Sequence, residues 1–150
     1  MIYSNSEIIL HREDGFIISE VIGTKITEAN TVKKIFEKVI GDDMTKQELF
    51  LVMALDGAGK EIYTKVIFKG TINQSLVHPR EIFSDAIRER ARAVIIGHNH
   101  PSNTNSPSNA DRRITKRVKE CGELLGIDLI DHVITTPKGD YFSFSDEGLI

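Results

Sequence analysis

Two stretches of this chain are apolar almost without interruption: ELFLVMAL at 48–55 and AVIIG at 93–97. The first reads as a central strand. In the second, brevity and β-branching favour a buried strand over a helix. The turn DGAGK (56–60) joins the first run to EIYTKVIFK (61–69) as a hairpin. Buried strands of this kind need layers packed on them.

The intervening segments supply those layers. Thr27 is placed to cap a helix through EANTVKKIFEKVI, where Val32, Ile35, Phe36 and Val39 recur at helical spacing and Gly41 takes the C-terminal cap. HPREIFSDAIRERAR (78–92) reads as a second helix, with Ile82, Phe83, Ala86 and Ile87 as its buried stripe. Residues 109–125 read as a third, with Ile114, Val118, Cys121 and Leu125 on one stripe and Gly126 ending it. IDLIDHVITT (127–136) and YFSF (141–144) are strands around the turn at 137–140. Residues 7–10 and 16–22 read as short strands around Asp14-Gly15. The alternation predicts an α/β fold, an α+β mixed sheet with flanking helices.

At 150 residues the chain suits one domain able to bury about 68–70% of its unfolded surface. Hydrophobic residues at 40% and charged residues at 27% speak against disorder. No stretch approaches the about 18 apolar residues of a membrane span, and the N-terminal MIYSNSEIILHRED has too short an apolar run for a signal peptide. A single cysteine, Cys121, excludes an internal disulfide framework and fits a reducing, cytoplasmic setting. A net charge of −3 gives no global attraction to nucleic acid or anionic membrane.

The chemistry is concentrated in HNHPSNTNSPSNAD (98–111), which joins the strand at 93–97 to the third helix. On an extended chain His98 and His100 project to one side, and Pro101 biases His100 toward extended geometry. Asp111 lies in the first turn of the helix, within reach if the loop folds back. Two imidazoles and a carboxylate with a fourth position left to water make a catalytic zinc pattern. Ser108-x-x-Asp111 equally matches a capping box, so the pair also reads as a plain helix start. Both readings stand at this level. The literal tripeptide HNH is not the signature of HNH nucleases, whose letters denote dispersed residues.

The pattern HxHPx6Sx2D, made by His98, His100, Pro101, Ser108 and Asp111, resembles the JAMM motif of the JAB/MPN+ metalloproteases. GTINQSLVHPREIF before it and ITKRVKECGELLGIDLIDHVI after it are similar to the bacterial RadC proteins, and the likeness covers residues 26–150. It implies an MPN/JAB-like fold with a cytidine-deaminase-like layered sheet, preceded here by an N-terminal strand extension at 1–25. It implies zinc ligation by His98, His100 and Asp111, and a peptide or isopeptide substrate. Ser108 matches the family serine that helps hold the tetrahedral intermediate. The family's general base is an upstream glutamate at the start of an early core strand. Glu48 is the best positional match, with Glu61 and Glu81 as the other candidates. The family loop PSGDPxPS reads PSNTNSPS here, with Asn103 in place of glycine.

RRITKRVK (112–119) carries five basic residues and no acid. It reads as a solvated helix face or as a local patch contacting nucleic-acid phosphates, the alternative to a protease role. His132, in an apolar strand, is expected to be buried or to stand behind a ligand. His78 and His11 carry no assigned chemistry. Cys121 is expected to be an inert core thiol.

Overall fold

The computed structural model describes residues 9–13, 16–20, 24–72 and 76–150. The strands are β1 (Ile9–Glu13), β2 (Phe16–Glu20), β3 (Leu49–Leu55), β4 (Glu61–Lys69), β5 (Ala93–Asn99), β6 (Asp128–Thr135) and β7 (Tyr141–Ser143). The helices are α1 (Ala29–Ile40), α2 (Pro79–Arg88) and α3 (Asn109–Leu125), with a 3-10 turn at Gly41–Thr45. The strands form one mixed sheet in the order β1-β2-β4-β3-β5-β6-β7. Neighbours are antiparallel except β5 and β6, which are parallel and joined through α3.

β3 is buried at every position, which explains its unbroken apolar run. Its alternate side chains enter two cores. Phe50, Val52 and Ala54 pack with Ile82 and Phe83 of α2 and with Ile114 and Val118 of α3. Leu49, Leu51 and Met53 pack with Val32, Ile35 and Phe36 of α1. The sheet is therefore the middle layer of three. At Gly97 the α1 layer comes so close that a Cβ there would lie 2.2 Å from Phe36 Cε2 and 2.8 Å from the Val133 carbonyl oxygen.

Several boundaries differ from expectation. The N-cap of α1 is Glu28, not Thr27; its extended backbone makes the entry, and no side chain bonds the free amides. Gly41 does end α1, with φ +56°. α2 stops at Arg88 rather than running to 92. Arg90 adopts φ +56°, Arg90 N donates to the Ile87 carbonyl (3.1 Å) and Ala91 N to the Ala86 carbonyl (2.8 Å). That is a Schellman ending with arginine where glycine is usual, so no glycine marks the stop. Ile87 and Leu125, expected in the core, are 54% and 47% exposed. Cys121 is only partly buried. With Phe83 and Leu124 they line a groove of about 360 Å3 between α2 and α3 that no described element fills. Helical periodicity names a face; it does not say how far a neighbour covers it. The turn at Asp14-Gly15 and residues 7, 8, 21 and 22 lie outside the described residues.

Candidate metal centre

β5 delivers His98 to the carboxyl end of the sheet, paired in register with Phe50 of β3 and Ile134 of β6. The strand runs two residues past the expected 93–97, and His100 N still donates to the Thr135 carbonyl at 2.9 Å. The extended backbone sends His98 and His100 to one side and Asn99 to the other. The loop then turns at Asn103, whose φ is +68°, a left-handed conformation that asparagine tolerates. Asn103 Oδ1 accepts from Lys138 N (3.1 Å), tying the loop to the β6–β7 turn.

Ser108 caps α3. Its Oγ accepts from Asp111 N (3.0 Å), and Asp111 Oδ2 accepts from Ser108 N (2.8 Å). The capping box is real, and it aims Asp111 rather than competing with a site. His98 Nε2 lies 3.1 Å from Asp111 Oδ1, His100 Nε2 lies 3.2 Å from Asp111 Oδ2, and the two Nε2 atoms are 3.0 Å apart. A tetrahedral ion bound at about 2.0–2.1 Å sets its ligands about 3.3–3.4 Å apart, so the two imidazole nitrogens already stand at nearly the right spacing, each facing its own oxygen of the Asp111 carboxylate. Two imidazoles and one carboxylate suit a borderline-soft cation such as zinc. His98 and Asp111 are buried, while His100 is half-buried at the edge of a pocket of about 380 Å3. Glu48, Ser102, Thr104 and Ser108 line the same pocket.

The protons are arranged to suit. His100 Nδ1 lies 2.6 Å from the Thr104 carbonyl oxygen, which only accepts, so Nδ1 donates, and in the neutral ring the lone pair is on Nε2, facing inward. Burial would raise the Asp111 carboxyl, but hydrogen bonds with His100 and His98 outweigh it and hold the group well below the usual range. Burial would lower His100; its hydrogen bonds with Asp111 and the Thr104 carbonyl outweigh that, and Glu48 adds to the upward shift. Behind His98, its Nδ1 is 2.9 Å from His132 Nε2, and His132 Nδ1 is 2.6 Å from Thr115 Oγ1. His132 is wholly buried with Phe144 stacked on it at 4.7 Å; burial, and then nearby His98, push its pKa well below the ordinary value. His132 is buried, as expected, and sits directly behind His98.

Glu48 stands one residue before β3, not in its first position. Its Oε2 accepts from Ile72 N (2.9 Å) and its carbonyl from Gly70 N (2.9 Å). Asn99 clamps the backbone on both sides of it: Oδ1 accepts from Leu49 N (2.7 Å), and Nδ2 donates to the carbonyls of Gln47 (2.9 Å) and Met44 (3.0 Å). The other two glutamates fall elsewhere. Glu61 is opposite Leu55, at the far end of β3 from the Phe50–His98 pair, and accepts from Thr64 Oγ1 (2.6 Å). Glu81 is exposed on the first turn of α2, 3.6 Å from Arg80. Sequence reasoning assigned no task to Asn99 or Thr115. Strand alternation carried a signal for Asn99, because a residue between two same-side histidines must face the opposite layer.

Layered mixed sheet and His-His-Asp cluster together define a JAB-type domain with a site able to hold a metal ion. Residues 26–149 match the RadC-like JAB domain, and the chain belongs to that family. A UPF0758 protein of Clostridium perfringens is 45% identical over 119 residues, covering 79% of this chain and 52% of its own length. Another from Trichlorobacter lovleyi is 49% identical over 105 residues, covering 70% and 45%. A third from Methanospirillum hungatei is 46% identical over 126 residues, covering 84% and 55%. The chain thus spans about half the length of the curated relatives it matches. Among the described residues no helix is long and apolar enough to cross a membrane.

Proposed function

We propose that this domain is a zinc-dependent hydrolase of amide bonds, acting on a peptide or isopeptide, and that it works in the reducing cytoplasm, where its lone Cys121 stays a thiol. One observation carries the reading: His98, His100 and Asp111 converge at the rim of a pocket that Glu48 and Ser108 also line. His98, His100 and Asp111 would hold the ion. Zinc bound there supplies Lewis acidity, polarising a carbonyl and acidifying water. Glu48 takes the proton of the attacking water and passes it to the leaving nitrogen. With Oε2 engaged by Ile72 N, Glu48 is fixed in place and keeps its second oxygen for that transfer. Ser108 Oγ spends a lone pair on Asp111 N, so its hydroxyl proton is left to donate to the developing oxyanion.

The test is metal analysis of the purified protein, followed by hydrolysis of a fluorogenic peptide and isopeptide panel. The wild type should hold about one zinc, and His98→Ala and His100→Ala should lose it while remaining folded. Glu48→Gln should keep the zinc and lose most hydrolysis. Equal zinc in the wild type and both histidine variants would overturn the ligand assignment. A second reading, nucleic-acid association, draws on Arg112, Arg113, Lys116 and Lys119, all exposed on α3 directly after Asp111. Salt-dependent DNA binding would support it, and no binding at low salt would remove it.

A further inference from the structure

A chain of hydrogen bonds runs from the backbone of α3 through the core to the rear of His98. Its direction follows from counting protons. Thr115, one turn after Asp111, is buried, and its Oγ1 lies 2.7 Å from the Asp111 carbonyl oxygen and 2.6 Å from His132 Nδ1. A hydroxyl has one proton, and a carbonyl only accepts. With the Thr115 proton given to Asp111 O, the lone pair on Oγ1 faces His132 Nδ1, which must carry the hydrogen. A neutral imidazole with its proton on Nδ1 is bare at Nε2. His132 Nε2 is 2.9 Å from His98 Nδ1, so His98 donates there. Its other nitrogen, the one 3.1 Å from Asp111 Oδ1 and 3.0 Å from His100 Nε2, is then free of a proton.

We infer that Thr115 and His132 are positioning residues that set the tautomer of His98, so that the nitrogen facing the metal site carries a lone pair. The inference rests on the proposal that His98 is a ligand. The opposite polarity is the alternative the chain must avoid. If Thr115 donated to His132 Nδ1, His132 would donate from Nε2 and His98 would point an N–H into the site. Thr115 prevents this by spending its proton on its own helix. His100 reaches the same end by a different route, through the Thr104 carbonyl. In their neutral forms both imidazoles thus turn a lone pair to the site, each set by a fixed oxygen elsewhere in the fold.

The experiment uses Thr115→Val, which keeps shape and removes the acceptor, and Thr115→Ser, which restores it. Zinc affinity is measured by chelator competition. Imidazole nitrogen protonation is read by 15N NMR on the zinc-loaded protein. Loss of a partner behind a ligating histidine is expected to weaken zinc by about 10–100-fold in Thr115→Val, with Thr115→Ser near wild type. The wild-type spectrum should show His132 and His98 each protonated at Nδ1. A mere packing role for Thr115 would change stability without that affinity pattern. A zinc-loaded wild type with His132 protonated at Nε2 would overturn the inference, even if Thr115→Val failed to fold. So would a Thr115→Val protein that binds zinc as tightly as the wild type. Either result leaves the metal reading intact, whereas a wild type that takes up no zinc overturns both.

Discussion

Replacing Gly97 by alanine tests how tightly the site is built onto the sheet. The added methyl would lie 2.2 Å from Phe36 Cε2, 2.6 Å from Phe36 Cδ2 and 2.8 Å from the Val133 carbonyl oxygen. Phe36 is completely buried in the α1 core and cannot swing outward. The Val133 carbonyl belongs to β6, which is held to β5 residue by residue. Neither neighbour is the free end of a flexible chain, so the cost falls at the upper end of overpacking, about 3 kcal/mol. Urea unfolding should show this as a midpoint lowered by about 1–2 M at an m-value of about 2 kcal/mol/M. A thermal melt should fall by about 6–12 °C. Phe36→Leu should relieve the ring contact but not the carbonyl contact. The double variant should therefore be more stable than the sum of the singles by at least about 1 kcal/mol, yet not restored to Phe36→Leu alone. A Gly97→Ala protein within about 0.5 kcal/mol of wild type would refute the reasoning, as would strict additivity with Phe36→Leu.

Further outcomes follow from the site. Zinc affinity should rise with pH through the ordinary histidine value of about 6.5 and flatten only above it, because His100 is shifted upward and its Nε2 must lose a proton to bind; affinity unchanged between pH 5.5 and 8 would contradict this. Ser108→Ala should cost about 1 kcal/mol in urea unfolding through loss of the α3 cap; equal stability would show the cap to be idle. Asn99→Ala should cost about 2–3 kcal/mol by stranding the Leu49 amide and two carbonyls, and should speed hydrogen exchange at Leu49; unchanged protection there would dismiss Asn99 as the clamp on the Glu48 segment.

Much of this was legible because it depends on local pattern. The unbroken apolar runs marked β3 and β5, and alternation along HNH put two imidazoles on one side. The S-x-x-D spacing marked the start of α3. What stayed hidden depends on partners far away in sequence. Asn99 works on residues 50 and 55 positions away, and nothing near it in sequence reports that. Arg90 ends α2 in a conformation that glycine usually signals. The stripe through Cys121 and Leu125 had the right period, yet coverage by other layers fails toward the end of α3. Glu48 stands beside the start of β3, and only the fold separates it from Glu61, because the two lie toward opposite ends of the same hairpin and only one end of that hairpin meets His98.

The capping box at the start of α3 has a consequence for how such chains drift. Ser108 and Asp111 hold each other whether or not any ion is present, and α3 needs both. A descendant that lost His98 and His100 would still be under pressure to keep this serine and this aspartate, for the helix alone. Under the proposed function, the motif's serine and aspartate are thus protected by folding as well, and its histidines by metal binding. The two halves should erode at different speeds once function is relaxed, with the histidines going first. Retained histidines, not the retained serine and aspartate, are then the trait by which a working lineage is told from a relic.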